Sequence, residues 1–305
     1  MAVYYIYTLF VDKIRIDNLL ETLKVVEKHP IPIVIVFFLM PLNWLIETHK
    51  WRLAIGDFQQ LSWLASITSI GMGILLSLLT PNRTGELAGR LVYIEKGKKT
   101  KVLYSNLLCS MAQLQITVLI GLISCVYFAT EIAEWLKLPK GVLLFSAIGF
   151  FFLSISIYFS SNSLAKILKF FIGKVQKNET VLQISISKKS RARLLFYSLL
   201  RFFVFSLQFV ILLQLFETEL SIANAFMFVA LLYFTLAVVP SSWLSDLPIR
   251  TSLAFFIFDQ LGYNGLNAMV VTLLIWIINL LLPAMLGFVA LPKINWMKWY
   301  KSKKL

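Results

Sequence analysis

Charged side chains leave long uncharged runs along the chain: His29 to Ile46, Phe58 to Asn82, Val102 to Thr130, Gly141 to Ala165, Leu220 to Ser245 and Gln260 to Pro292. Each can hold one membrane-spanning helix, which needs about 20 apolar residues. A seventh run, Leu194 to Phe216, is interrupted only by Arg201. Two further pieces, Ala2 to Val11 and Thr251 to Phe258, are too short to span alone. The latter is either the centre of a helix with charged ends or one arm of a broken or re-entrant helix. Pro81 and Pro240 each follow an apolar run and precede a new helical pattern, so helix breaks or re-entrant elements are expected near Pro81 and from Pro240 to Pro248. The pattern predicts an all-α, polytopic integral membrane bundle of about seven to eight apolar segments, forming one membrane domain over residues 1–305.

Composition agrees, with 59% of the 305 residues hydrophobic and 14% charged, against roughly 45–50% and about 25% in soluble domains. That argues against a cytoplasmic enzyme, a DNA-binding module or a secreted disulfide scaffold. Cys109 and Cys125 lie on one apolar run, about 24 Å apart along a continuous helix, too far to bridge. The first residues carry no basic stretch or small-x-small cleavage pattern, so a cleaved signal peptide is not expected. In residues 12–28, Ile14, Leu19, Leu20, Leu23 and Val26 recur at helical spacing among charges. This reads as an amphipathic helix, either on the membrane surface or packed on the protein's own cytoplasmic face.

The net charge of +14 is distributed as topology rather than as a nucleic-acid surface. The basic loop 166–193 and the lysines after Pro292 are expected to be cytoplasmic, together with Lys96 to Lys101. The balanced connection near Glu131 and the acidic one at Glu217 and Glu219 should face outward. The expected location is the cell (inner) membrane, with a cytoplasmic C-terminus.

Candidate chemistry sits at the breaks. After Pro81, the charges Arg83, Glu86 and Arg90 share one helix face, and Gly85 and Gly89, four apart, allow close approach of another backbone. Charge near the hydrocarbon costs about 2.5–3.5 kcal/mol per group, so such residues face a partner, a cavity or the interface. The stretch is either a head-group site or an interfacial ion pair on a packing helix. A second Pro-acid-x-x-x-Arg arrangement follows Pro240, with Asp246 and Arg250, so motifs at 80–90 and 240–250 hint at an internal repeat. Further candidates are Asn43, Glu47 and Arg52 near the end of the first run, Arg201 inside its span, and Asp259 beside the short apolar piece. The glutamines within spans are expected to bond between helices.

The run Pro81-Asn82-Arg83-Thr84-Gly85-Glu86 with Arg90 resembles the Pro-x-Arg-x-Gly-Glu-x-x-Arg signature of the lysylphosphatidylglycerol synthase transmembrane, or flippase-like, family. Asn43-Trp44 to Trp51-Arg52 resembles that family's early helix, and Pro240 to Arg250 falls at its later motif. There Thr251 stands where Glu is usual, and Ser241, Ser242 and Leu247 replace glycines. The resemblance implies a membrane domain that handles polar lipids, while standalone relatives resemble accessory proteins of glycosyltransferase or polyprenyl-lipid pathways. With the chain ending at Leu305, no soluble aminoacyl-transfer domain is expected.

No His-x-x-x-x-Asp, HExxH, P-loop or paired metal-binding cysteines occur in the sequence, so an enzyme lacks support and neither metal nor cofactor is expected. The expected activity is a flippase-like transport of an anionic phospholipid or polyprenyl-linked lipid. Arg83, Arg90 and Arg250 would bind phosphate, with Glu86 and Asp246 orienting them. The alternatives are a non-transporting partner that recruits a glycosyltransferase or other lipid-pathway enzyme, and a lipid-modifying membrane enzyme.

Overall fold

The computed structural model describes residues 24–25, 27–78, 80, 85–95, 97–160, 187–239 and 245–290. The described part is helical, and five of its helices are long and apolar enough to cross a bilayer. They are α1 (Pro30–Ile55), α4 (Lys99–Tyr127), α6 (Lys140–Phe159), α7 (Lys188–Phe216) and the rod Gly265–Met285. This rod consists of α10 (Gly265–Trp276), a π-helical turn at Ile277–Leu281, and the start of α11 (Leu282–Ala290). The others are α2 (Trp63–Leu78), α3 (Gly85–Arg90), α5 (Ala129–Leu136), α8 (Ile222–Val238) and α9 (Asp246–Gln260). Side chains of Ser187, Ser221 and Asn264 accept backbone N–H bonds at the starts of α7, α8 and α10, fixing where those helices begin.

The runs Phe58 to Asn82 and Leu220 to Ser245 do not each yield a simple crossing. At 16 and 17 residues, α2 and α8 reach only about 24–26 Å, short of the ~30 Å hydrocarbon core. Each instead forms a hairpin with the helix that follows. Gln59, just before α2, donates from Nε2 to the Tyr93 carbonyl at 2.9 Å and accepts from the Glu95 amide at 3.3 Å. The chain therefore returns after α3 to where α2 began. Likewise Asn224, at the start of α8, donates to the Tyr263 hydroxyl at 3.1 Å, while Phe258 near the end of α9 lies 4.7 Å from Phe228. The short apolar piece Thr251 to Phe258 is thus part of α9, a returning arm.

The two hairpins enter from opposite ends of α4. The first has its base beside Lys98 and Lys99, where α4 starts. The second has its base where α4 ends, with Tyr127 donating to Asn224 Oδ1 at 2.7 Å. One end of the bundle is basic, with Lys98, Lys99, Lys101, Lys188 and Arg193, and the other carries Glu131, Glu134, Glu217 and Glu219.

Small residues bring the elements together, as expected where lipid supplies no hydrophobic drive between helices. A Cβ on Gly89 would collide with the backbone of Gly73, one on Gly85 with the Leu76 carbonyl, and one on Gly287 with the Gly71 carbonyl. The spacing of Gly85 and Gly89 is therefore used to press α3 onto α2. A large apolar core joins α1, α7, α8, α9 and α10 through residues such as Val36, Leu212, Phe228, Phe258 and Val271. Conversely, α6 turns Phe145 and Phe152 outward at 79% and 63% exposure, a surface suited to lipid. At the basic end the buried Arg191 donates to the Tyr158 carbonyl and the Tyr104 hydroxyl, joining α4, α6 and α7. The amphipathic helix of residues 12–28 and the loop 166–193 lie outside the described residues, apart from scattered positions in 24–28 and from Ser187 onward.

Candidate functional site

Where the far ends of the hairpins approach α1 and α7, the bundle encloses a cavity of about 420 Å³. Helix periodicity decides which side chains reach it. On α1, Asn43, Glu47 and Lys50 fall on one face, and on α7 Arg201, Phe205 and Phe209 do the same. The first hairpin contributes Ser77, Glu86 and Arg90, the second Leu236, Ala237 and Arg250, and the final rod Thr272, Ile275, Trp276 and Asn279.

Glu47 is the hub. Its Oε1 accepts from Arg90 Nη2 at 2.6 Å, and its Oε2 accepts from Lys50 Nζ at 2.7 Å and Arg201 Nη1 at 2.9 Å. Arg90 Nη2 also reaches Glu86 Oε1 at 2.6 Å, and Arg201 Nε donates to Asn43 Oδ1 at 2.9 Å. The Arg90 guanidinium stands 4.7 Å from the centre of the Trp51 ring. Across the cavity, Arg250 Nε bonds Asp246 Oδ2 at 2.9 Å. Buried charges persist only when paired and hydrogen-bonded, and among the described residues here four cations meet three carboxylates, a surplus of one positive charge.

The pairing is also incomplete in a directional sense. Among the described residues, buried Nε and Nη1 of Arg90, Nε1 of Trp276, and the side-chain oxygens of Gln113 and Asn279 have no hydrogen-bond partner. All four residues line the cavity. An unpaired buried donor or acceptor costs about 1–3 kcal/mol, and the several such groups on residues that line this cavity suit a polar ligand. Much of the remaining wall, including Phe202, Phe205, Leu232 and Leu280, is apolar, with the hydroxyls of Ser110, Thr117 and Tyr233 among it.

The sequence matches the family model described as lysylphosphatidylglycerol synthase TM region over residues 1–287. The chain belongs to that family. Membership identifies a membrane protein with a lipid-related function, and no curated protein matches the chain.

Of the residues singled out from this family member's sequence, Glu86, Arg90, Arg250, Asn43, Glu47 and Arg201 all line the one cavity, and Asp246 reaches it through Arg250. The expected pairs Glu86 with Arg90 and Asp246 with Arg250 both form. Arg83 lies outside the described residues. Arg52 stands elsewhere: its Nε donates to the Leu61 carbonyl at 3.1 Å, and it borders a separate pocket. Asp259 also stands apart from the cavity, near the end of α9. Lys50, which the sequence shows only as one of the charges clustered at the end of the first run, and Trp276 and Asn279 are not among those candidates. Lys50 had a usable signal, since it lies three residues after Glu47 and seven after Asn43 on one face. Asn279 had a weaker one, a lone amide in an apolar run, and it falls on the π-helical turn, a feature frequent at functional sites.

Proposed function

We propose that this protein is a flippase-like transporter that passes the head group of an anionic phospholipid or polyprenyl-linked lipid through the central cavity. The observation that carries the reading is Arg90, buried between two carboxylates with Nε and Nη1 still unpartnered, in a cavity of net positive charge. Guanidinium is suited to phosphate because its N–H groups form a rigid fork that bonds two oxygens at once. Arg250 would serve as the opposite jaw, and Glu86 and Asp246 would hold the two arginines in orientation. The apolar wall suits the glycerol or isoprenoid part of the lipid, whose tails stay in the bilayer.

Hairpins that enter from opposite ends and meet at mid-bundle are a means of alternating access. Rocking one hairpin with its neighbours against the other would open the cavity to one leaflet at a time. In this reading the motifs at 80–90 and 240–250 act as paired halves of an internal repeat. The basic end faces the cytoplasm of a cell membrane, since Lys and Arg concentrate on cytoplasmic loops.

The test is transport in proteoliposomes holding a head-group-labelled fluorescent phosphatidylglycerol, with label on the outer leaflet destroyed by a membrane-impermeant reductant. The wild-type protein is expected to expose inner-leaflet label faster than empty vesicles do, and Glu86→Gln/Arg90→Gln is expected to lose that acceleration at equal incorporation. Undiminished transport by the variant would remove the site assignment. No acceleration by the wild type, for this lipid or a polyprenyl phosphate, would favour recruitment of a lipid-pathway enzyme through residues 166–193.

A further inference from the structure

We propose that the basic end carries a second binding site, separate from the central cavity, for a phosphate group at the membrane interface. It is a pocket of about 340 Å³ between the last turns of α1 and the first turns of α7, lined by His49, Arg52, Asp57, Ser190, Arg193 and Leu194 among others. The two cavities share helices but no lining residue.

Two arginines supply the charge. Arg52 is fixed in place by its bond from Nε to the Leu61 carbonyl and by the Trp63 ring 4.5 Å from its guanidinium carbon. That bond uses one of its five N–H groups and leaves the paired terminal nitrogens for a ligand. Arg193 is exposed, and among the described residues neither arginine lies within ion-pair distance of a carboxylate. Among the described residues Asp57 is the pocket's one acid, so two arginines against one carboxylate leave a net positive charge. Ser190 lies in the first turn of the 29-residue α7, whose positive helix end adds to the attraction for an anion.

The surroundings place the pocket at an interface. His49 stacks on Trp63, with ring centres 6.0 Å apart, and lies 4.7 Å from the Tyr197 ring. Trp63 and Leu64 are 45% and 76% exposed. Tryptophan and tyrosine of this kind gather at head-group depth, and basic pockets between helices at that depth bind anionic head groups. The ligand chemistry is therefore an uncompensated phosphate, carried by an anionic lipid or free in solution. The inference does not depend on the transport reading.

The experiment is native mass spectrometry of the full chain in detergent, titrated with dioleoyl phosphatidic acid and, separately, dioleoyl phosphatidylcholine. Thermal stabilisation by inorganic phosphate is measured alongside. Glu86→Gln/Arg90→Gln serves as the background in which the central cavity is disabled. In that background, adding Arg52→Gln/Arg193→Gln is expected to weaken phosphatidic acid binding about tenfold or more, the loss of hydrogen bonds to charged groups, with phosphatidylcholine binding unchanged. Stabilisation by inorganic phosphate that the same substitutions abolish would identify free phosphate as the ligand and equally support the site. If Arg52→Gln disturbs folding, Arg193→Gln alone still reads the pocket, because that exposed side chain holds nothing in place. Equal phosphatidic acid affinity with and without the substitutions, and no phosphate-dependent stabilisation, would overturn the proposal.

Discussion

Arg90 on the returning arm of the first hairpin donates from Nη2 to Glu47 Oε1 on α1 at 2.6 Å, a bond across 43 positions of sequence. It fastens a helix of six residues, which could not hold itself in place, to a 26-residue span. The same carboxylate holds Lys50 and Arg201, so three cations from α1, α3 and α7 converge on one acid. Replacement of Glu47 by Gln leaves that convergence uncompensated. Breaking a buried ion network by removing one partner costs about 3–5 kcal/mol. Glu47→Gln is therefore expected to lower the melting temperature in detergent sharply, whereas Lys98→Gln, which removes a more exposed pair with Glu95, is expected to leave it nearly unchanged.

The close approach of α3 to α2 gives a steric prediction. A methyl group at Gly89 meets backbone atoms of Gly73, which cannot swing aside as a flexible side chain can. Overpacking of this kind costs about 1–3 kcal/mol, and it displaces Arg90 from Glu47. Gly89→Ala should lose both stability and transport. Gly149→Ala is its control, since nothing lies within 4 Å of an added Cβ there and alanine favours the helix.

Topology can be read directly by labelling single cysteines in a Cys109→Ser/Cys125→Ser background. The exposed positions 62 and 95 flank the first hairpin, and residue 137 lies at the opposite end. Ser62→Cys and Glu95→Cys should react with a membrane-impermeant thiol reagent from one side, and Lys137→Cys from the other. Opposite sidedness of 62 and 95 would mean that the stretch crosses the membrane and the hairpin is absent.

Much of this arrangement was legible in the sequence, for identifiable reasons. Runs without charge reveal where helices meet lipid, because lipid tolerates no unpaired charge, and the prolines at 81 and 240 fall in the sequence between helices that end at Leu78 and Val238 and those that begin at Gly85 and Asp246. Glu86 with Arg90 and Asp246 with Arg250 were readable because each pair lies on a single helix at a spacing of four. Convergence of Arg90, Arg201 and Lys50 on Glu47 was not, because it depends on which faces of three helices turn inward. The separation of Arg52 from Glu47 has the same origin: five residues along a helix is 500° of rotation, or about 140° between the two side chains, which sends them into different pockets. The uncharged runs that hold α2 and α8 are each long enough to read as spans, since composition alone does not distinguish a helix that crosses from one that turns back.

Asn279 separates a binding role from a structural one. Its amide nitrogen donates to the Ile275 carbonyl at 3.3 Å, one turn back on the rod, while its buried side-chain oxygen has no partner among the described residues. A buried acceptor left unpaired makes a negative contribution to stability, so Asn279→Leu, similarly branched and larger by an amount the adjoining cavity can take, is expected to leave the melting temperature unchanged or raise it. If the oxygen receives a hydroxyl or amine of the lipid head group, the same substitution weakens binding several-fold, the value of roughly one hydrogen bond of about 0.5–1.5 kcal/mol. Measuring lipid retention and melting on one sample distinguishes the cases. Weaker retention with undiminished stability assigns Asn279 to the ligand, whereas parallel loss of both assigns it to the packing of the π-helical turn.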